Sequence, residues 1–219
     1  LLVAAKKDMI NDYVSLIREA GLNPVVIDVD AFAVENMFEL NYGLPQGETV
    51  VLVNTGASVT NINVLKNGLT AFSRDISLGG NQFTEEIQKQ LNVSYEEAEA
   101  LKIGGDFVPD SQSVVPQEVE NILRSVSENL ATEIQRSLDF YSATTTDERI
   151  SKIYLSGGSS KVPGLSGIIE QRTGIPMEIV NPFRNIEVPE RNFNLNYIKE
   201  VAPLATVAVG LALRRADDK

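Results

Sequence analysis

The sequence contains no cysteine, no histidine and no tryptophan. Without cysteine there are no disulfides and no thiol nucleophiles. Without histidine there is no imidazole general acid or base, and Cys/His metal sites are excluded as well. Any chemistry falls to carboxylates, hydroxyls, lysines and backbone amides. Positive charge is also scarce: 19 Lys and Arg against 30 Asp and Glu leave a formal charge of −11. The basic footprint of a nucleic-acid binder is therefore missing, and the same acidity argues against broad adsorption to an anionic membrane. Long hydrophobic runs are lacking too. The longest, Val201 to Leu213, is shorter than the roughly 20 residues a membrane-spanning helix needs. No signal peptide is legible at the start, and a cytoplasmic protein is the expectation, although the absence of cysteine does not itself fix the compartment.

What is present is ordinary for a soluble globular chain. Of 219 residues 43% are hydrophobic and 22% charged, enough for one large domain or two small lobes. Leu1-Leu2-Val3-Ala4-Ala5 reads as the middle of a buried strand with no initiator Met, so a fragment lacking its N-terminal part is expected.

Asp8 is placed to cap a helix carrying Met9, Tyr13, Leu16 and Ile17 at helical spacing, with Gly21 at its end. Pro24 and Val25-Val26-Ile27 predict a strand. Asp30 is placed to cap a helix from Ala31 to Leu40. Gly43, Pro45 and Gly47 mark a lobe boundary. Three antiparallel strands follow: Val50–Val53, Val59–Leu65 and Leu69–Ile76. The last two are joined by Asn67-Gly68, a pair suited to a type I′ hairpin. Helices are expected at Gln82–Leu91 and Ser94–Lys102, the second opened by a Ser94/Glu97 capping box. A surface loop from Gly104 to Pro116 leads to a long amphipathic helix from Gln117 to Ala143. Ile150–Leu155 predicts a strand ending in Gly157-Gly158, Val162-Pro163-Gly164 a helix start, and Ile175–Val180 a last strand. Asn185 to Asn196 reads as a polar loop. Small residues on several faces mark Glu200 to Arg215 as one closely packed helix.

Two glycine turns carry candidate chemistry. Asn54-Thr55-Gly56-Ala57-Ser58 ends a buried strand in small residues whose amides could cradle phosphate oxygens; it also reads as a plain β-turn. Leu155-Ser156-Gly157-Gly158-Ser159-Ser160-Lys161 joins a strand to a helix start, where the dipole favours anions. A tight connection is the alternative, and neither G-x-G-x-x-G nor a Walker A loop is present. Glu99 and Lys102, three apart, are also readable as a surface pair worth about 0.2–0.5 kcal/mol.

The order of these pieces resembles the actin-like ATPase superfamily, and within it the PilM family, from Ala5 to Arg215. The resemblance is carried by Lys7-Asp8, Ala20-Gly21-Leu22-Asn23-Pro24, Val29-Asp30-Ala31-Phe32-Ala33 and Asn54 to Asn61. It continues through Ile76 to Thr84, Glu97 to Lys102 and Asn181-Pro182-Phe183. It implies an α/β, actin-like (ribonuclease H-like) two-lobed fold with the N-terminal part of the first lobe missing. Residues 1–20 would end a small inserted subdomain. Residues 21–46 and 181–219 would form the incomplete first lobe, and 47–180 the second, with a reduced subdomain at about 103–143.

Residue by residue, the resemblance implies that Asn54, Gly56, Ala57 and Ser58 form the second phosphate loop and that Gly80 and Asn81 open a helix lining the same cleft. Glu99 and Lys102 would reach the ribose and base edge. Gly157, Gly158, Ser159 and Lys161 would form the adenosine motif, and the helices at Asp30–Leu40 and Val201–Leu213 the two connecting helices. The implied ligand is ATP (or ADP) with Mg²⁺. The implied partners are the cytoplasmic N-terminal segment of PilN and other inner-membrane platform proteins, with no nucleic acid. The implied place is the cytoplasmic face of the inner membrane, reached through partners. Two departures stand out: the first phosphate loop is not in the sequence, and Asn54 holds a position that is Asp in most ATPase relatives. Asn keeps the shape but loses the charge that helps place Mg²⁺ and water, so binding is expected ahead of hydrolysis. The other readings are an active ATPase or small-molecule kinase of the same superfamily, and a nucleotide-free adaptor like the GspL cytoplasmic domain.

Overall fold

The computed structural model describes residues 3–104, 117–145 and 149–215. Five strands make one mixed sheet: β1 (Thr49–Thr55), β2 (Thr60–Lys66), β3 (Leu69–Ile76), β4 (Ile150–Ser156) and β5 (Met177–Ile179), in the order β3-β2-β1-β4-β5. The β1–β2 and β2–β3 pairs are antiparallel, while β4 runs parallel to both β1 and β5. The continuous apolar run that predicts a buried strand is β1, buried along its whole length. Asn67 and Gly68 take positive φ (52° and 77°), as the hairpin signal requires. The Asn67 side chain also accepts from the Gly47 amide at 3.0 Å.

Eight helices accompany the sheet among the described residues: α1 (Lys7–Glu19), which buries no residue, α2 (Asp30–Tyr42), α3 (Gly80–Leu91), α4 (Tyr95–Lys102), α5 (Gln117–Thr144), α6 (Leu165–Thr173), α7 (Leu195–Val201) and α8 (Thr206–Ala212). Val51 and Val53 of β1, with Ile62 and Val64 of β2, pack against Phe83 and Ile87 of α3 and the Leu130, Ile134 and Leu138 stripe of α5. Truncating one of these buried side chains to Ala costs about 2–5 kcal/mol. The other face packs Val50, Leu52 and Leu65 against Val34, Met37 and Phe38 of α2. There, α8 crosses α2 so closely that a Cβ on Gly210 would overlap the Ala33 carbonyl.

Several expectations are corrected. Val3–Ala5 are exposed and belong to no strand, while Leu1 and Leu2 lie outside the described residues. Pro24–Ile27 also form no strand: Val25 (64%) and Ile27 (48%) are exposed, and no described strand pairs with them. Asp8 and Asp30 do not cap their helices. The caps are Lys6 and Val29, and both acids sit inside the first turn, where they complement the dipole instead. The expected single C-terminal helix is α7, a 3-10 turn at Ala202–Ala205, then α8. Pro203 lacks the N–H a continuous helix needs, and its ring crowds the preceding turn. The polar stretch to Asn196 ends earlier than expected, because the Asn194 side chain caps α7 at Leu195. Most of the expected loop from Gly104 to Pro116 lies outside the described residues.

Candidate nucleotide-binding site

The site is built at the C-terminal ends of β1 and β4, where parallel neighbours feed two glycine turns. At the end of β1 the Gly56 amide donates to the Val59 carbonyl at 2.9 Å, closing a tight turn. The Gly56 carbonyl accepts from the Gly80 amide (2.9 Å) and from the Ser159 hydroxyl (2.8 Å), and the Ala57 carbonyl accepts from Asn81 (2.8 Å). Asn81 Nδ2 donates to Ser58 Oγ at 3.2 Å. Three distant segments therefore meet on two peptide units. Glycine is required there by close approach: a Cβ on Gly79 would stand 2.6 Å from the Gly56 and Ala57 carbonyl oxygens, and one on Gly80 2.6 Å from Ser159 Oγ. The first amides of α3 are thus spent on the turn. The turn amides that remain are those of Ala57, Ser58 and Val59, all exposed residues, which donate to no described group.

At the end of β4, Gly157 takes a φ of +87°, and a Cβ there would strike the Thr55 backbone. Its amide donates to the Pro203 carbonyl at 2.9 Å, which ties the turn to the 3-10 segment before α8. Gly158–Lys161 form a 3-10 turn with Ser159 and Ser160 buried, and α6 starts only at Leu165. The expected helix start at Val162 is therefore late by three residues, because Pro163 and the left-handed Gly164 (φ +80°) intervene. Gly158 lies beside Leu204. Lys161 is half-exposed and pairs with Glu200 of α7 at 3.6 Å.

Glu99 and Lys102 sit on α4, held by the expected capping box at Ser94 and Glu97. Lys102 is buried. Its ammonium reaches Glu99 Oε1 (2.5 Å), Thr84 Oγ1 (3.0 Å) and the Gly80 carbonyl (3.4 Å), which matches its three donors. Thr84 also donates to Glu99 Oε1. Burial pushes the Glu99 carboxyl up, but the hydrogen bonds from Lys102 and Thr84 outweigh it and hold the group below the ordinary carboxylate range. This is more than a surface pair: α4 is fastened to the first turn of α3, next to the Gly56 junction.

Asn54 is 8% exposed. It donates to Asn61 Oδ1 (3.2 Å) and accepts from the Ser156 hydroxyl (3.2 Å). Sequence reasoning missed Thr84, Asn61 and Ser156. Thr84 carries the one available signal, a polar residue on the buried face of α3 four residues after Gly80.

Thus Asn54, Gly56, Ala57, Ser58, Gly80, Asn81, Glu99, Lys102, Gly157, Gly158 and Ser159 are drawn into one junction, with Lys161 at its edge. A mixed sheet whose parallel strands end in glycine turns, with crossed helices on one face, defines an actin-like protein. The chain matches MreB5 of Spiroplasma citri bound to AMPPNP with a TM-score of 0.61 at 15% identity, over 96% of this chain and 65% of that one. The ethanolamine utilization protein EutJ of Salmonella typhimurium is 23% identical over 159 residues, 73% of this chain and 48% of that protein. The family model described as type IV pilus assembly protein PilM matches residues 1–216, and the chain belongs to that family. A solved PilM–PilN type IV pilus biogenesis complex matches with a TM-score of 0.84 at 28% identity, over 98% of this chain and 60% of that chain. The chain thus spans about half of the EutJ relative and 60% of the PilM structure.

Proposed function

We propose that this chain carries one side of the nucleotide site of an actin-like scaffold in the type IV pilus assembly platform. On this reading it grips ATP or ADP at the Gly56 junction and docks the cytoplasmic N-terminal segment of PilN. The observation that carries the reading is the run of unspent amides from Ala57 to Val59, presented on a turn whose Gly56 carbonyl is held by the Gly80 amide and the Ser159 hydroxyl. That arrangement fits phosphate oxygens. Mg²⁺ fits less directly, because Asn54 is neutral and already bonded, so the nucleotide's own phosphates and water would supply its ligands. MreB5 with AMPPNP supports nucleotide as the ligand, and the PilM–PilN complex supports PilN as the partner. The division into lobes at residues 21–46 and 181–219 against 47–180 belongs to the same reading, as does a place at the cytoplasmic face of the inner membrane. No described helix is long and apolar enough to cross a membrane.

For PilN the proposed seat is α1 with the extended residues after it. Met9 (48%), Tyr13 (60%) and Leu16 (61%) lie exposed on one stripe of α1, and Leu22, Val25 and Ile27 are exposed beyond it. Titration calorimetry of the full chain with ATP and ADP, with and without Mg²⁺, tests the nucleotide half. Saturable binding of either nucleotide supports it, and no heat at millimolar ligand rejects it in favour of a nucleotide-free adaptor. Steady turnover of ATP by the parent protein would instead support the ATPase reading.

A further inference from the structure

Four polar side chains lie in one row across the sheet, just before the Gly56 turn. Ser156 on β4, Asn54 on β1, Asn61 on β2 and Asp75 on β3 are successive ladder partners. The hydrogen bonds along this row run in one direction, and Asp75 sets it. An ionised carboxylate only accepts, so Asn61 must present Nδ2 to Asp75, which it does at 2.8 Å. Asn61 Oδ1 is then left facing Asn54, whose Nδ2 donates to it at 3.2 Å. The Asn54 Oδ1 is left to accept from Ser156.

We propose that Asp75 is a positioning residue: acting through Asn61, it fixes the orientation of the Asn54 amide and matches position 54 to an amide instead of a carboxylate. A carboxylate at 54 has no N–H to give Asn61. If Asn61 stays, two acceptors face each other at 54/61. If it turns over, its Oδ1 faces the Asp75 carboxylate. Either way one acceptor–acceptor contact remains, in a row that is buried at the Asn54 end. With Asn also at 75 the 54/61 and 61/75 contacts reverse while Ser156 goes on donating to position 54, and every contact is again donor to acceptor. The other titratable group reaching this face from α2 is Glu35, two or more ladder positions away, where it accepts from Asn63 (3.1 Å) and Thr70 (2.6 Å). It does not enter the row.

The proposal deepens the nucleotide reading, since Asn54 stands at the position that would face Mg²⁺ and water. Its test is independent of that reading: thermal unfolding of the full chain with Asn54→Asp, Asp75→Asn and both, at pH 7 and near pH 4. Asn54→Asp is expected to lower Tm by about 2–6 °C at pH 7, and Asp75→Asn alone by less than about 2 °C. The double variant should regain most of the loss. Near pH 4 the Asn54→Asp deficit should shrink, because the protonated carboxyl gains an O–H to donate to Asn61. A general packing defect would not follow pH in this way. The proposal is overturned if Asn54→Asp costs nothing at pH 7, or if its deficit is the same with Asn at 75. Should the single variant not fold, recovery of a folded double variant supports the proposal, and its failure to fold overturns it. If calorimetry shows no nucleotide binding by the parent, the functional reading fails while this Tm cycle still decides the role of Asp75.

Discussion

Ser159 and Gly56, 103 residues apart, meet through a 2.8 Å hydrogen bond from the Ser159 hydroxyl to the Gly56 carbonyl. The same carbonyl takes the Gly80 amide, and a Cβ on Gly80 would push against Ser159 Oγ at 2.6 Å. Ser159→Ala removes one net hydrogen bond, about 1 kcal/mol, which is a fall in Tm of about 2–4 °C for a domain this size. Gly80→Ala forces the hydroxyl to rotate away and lose that same bond. The two changes together should therefore cost little more than either alone. A double-mutant cycle in urea reads this directly, and simple additivity would show that the two residues do not share the junction.

Gly157→Ala should be far more costly, about 4 kcal/mol, because the added methyl meets the Thr55 backbone and the φ of +87° is unfavourable for any L-residue. Gly164→Ala is the control. It keeps the positive φ but meets nothing within 4 Å, so about 1–2 kcal/mol is expected in the same unfolding measurement.

Glu99 gives stability a pH dependence of known sign. Its folded pKa is depressed, so the unfolded state binds the proton more readily. The contribution is therefore present above the ordinary carboxylate value of 4.5 and lost as pH falls through the folded value. Tm measured from pH 7 down to about pH 3 should fall less steeply in Glu99→Gln than in the parent, in the window at and below about 4.5. Identical acid slopes in the two proteins would show that the Thr84/Lys102 arrangement does not hold the carboxylate charged.

The α1 stripe should separate stability from docking. Tyr13 and Leu16 are exposed, so Tyr13→Ser with Leu16→Glu should change stability by within about 0.5 kcal/mol. The same variant should lose affinity for a fluorescent peptide of the PilN cytoplasmic segment by tenfold or more in anisotropy. Unchanged peptide affinity would move the docking site elsewhere.

Much of this architecture was legible because its signals are local. The Asn67-Gly68 hairpin, the Ser94/Glu97 capping box and the α5 stripe each specify structure within a few residues, and each stands where the sequence places it. The candidate site residues were legible as glycine turns, but their partnerships were not. An even ladder running from the Asn67-Gly68 turn sets Arg74 opposite Asn61. An irregularity between Val64 and Leu65 shifts the register by one and brings Asp75 there instead. No local signal announces that shift. Pro24–Ile27 fails for the opposite reason: β-branched residues favour a strand locally, but a strand needs a neighbour, and none of the described residues supplies one. Pro203 was visible, yet the run of small residues around it suggested one helix where the missing N–H makes two.

The proposed seat of the nucleotide phosphates is the set of free amides on the Gly56 turn. The direct measurement is a backbone amide NMR titration of the isotopically labelled protein with Mg-ADP. The Ala57 and Ser58 amides are expected to shift first and saturate together, while the Gly80 and Asn81 amides, already bonded to the turn, move far less. Saturation that leaves Ala57 and Ser58 unmoved, with shifts confined to another surface, would contradict it.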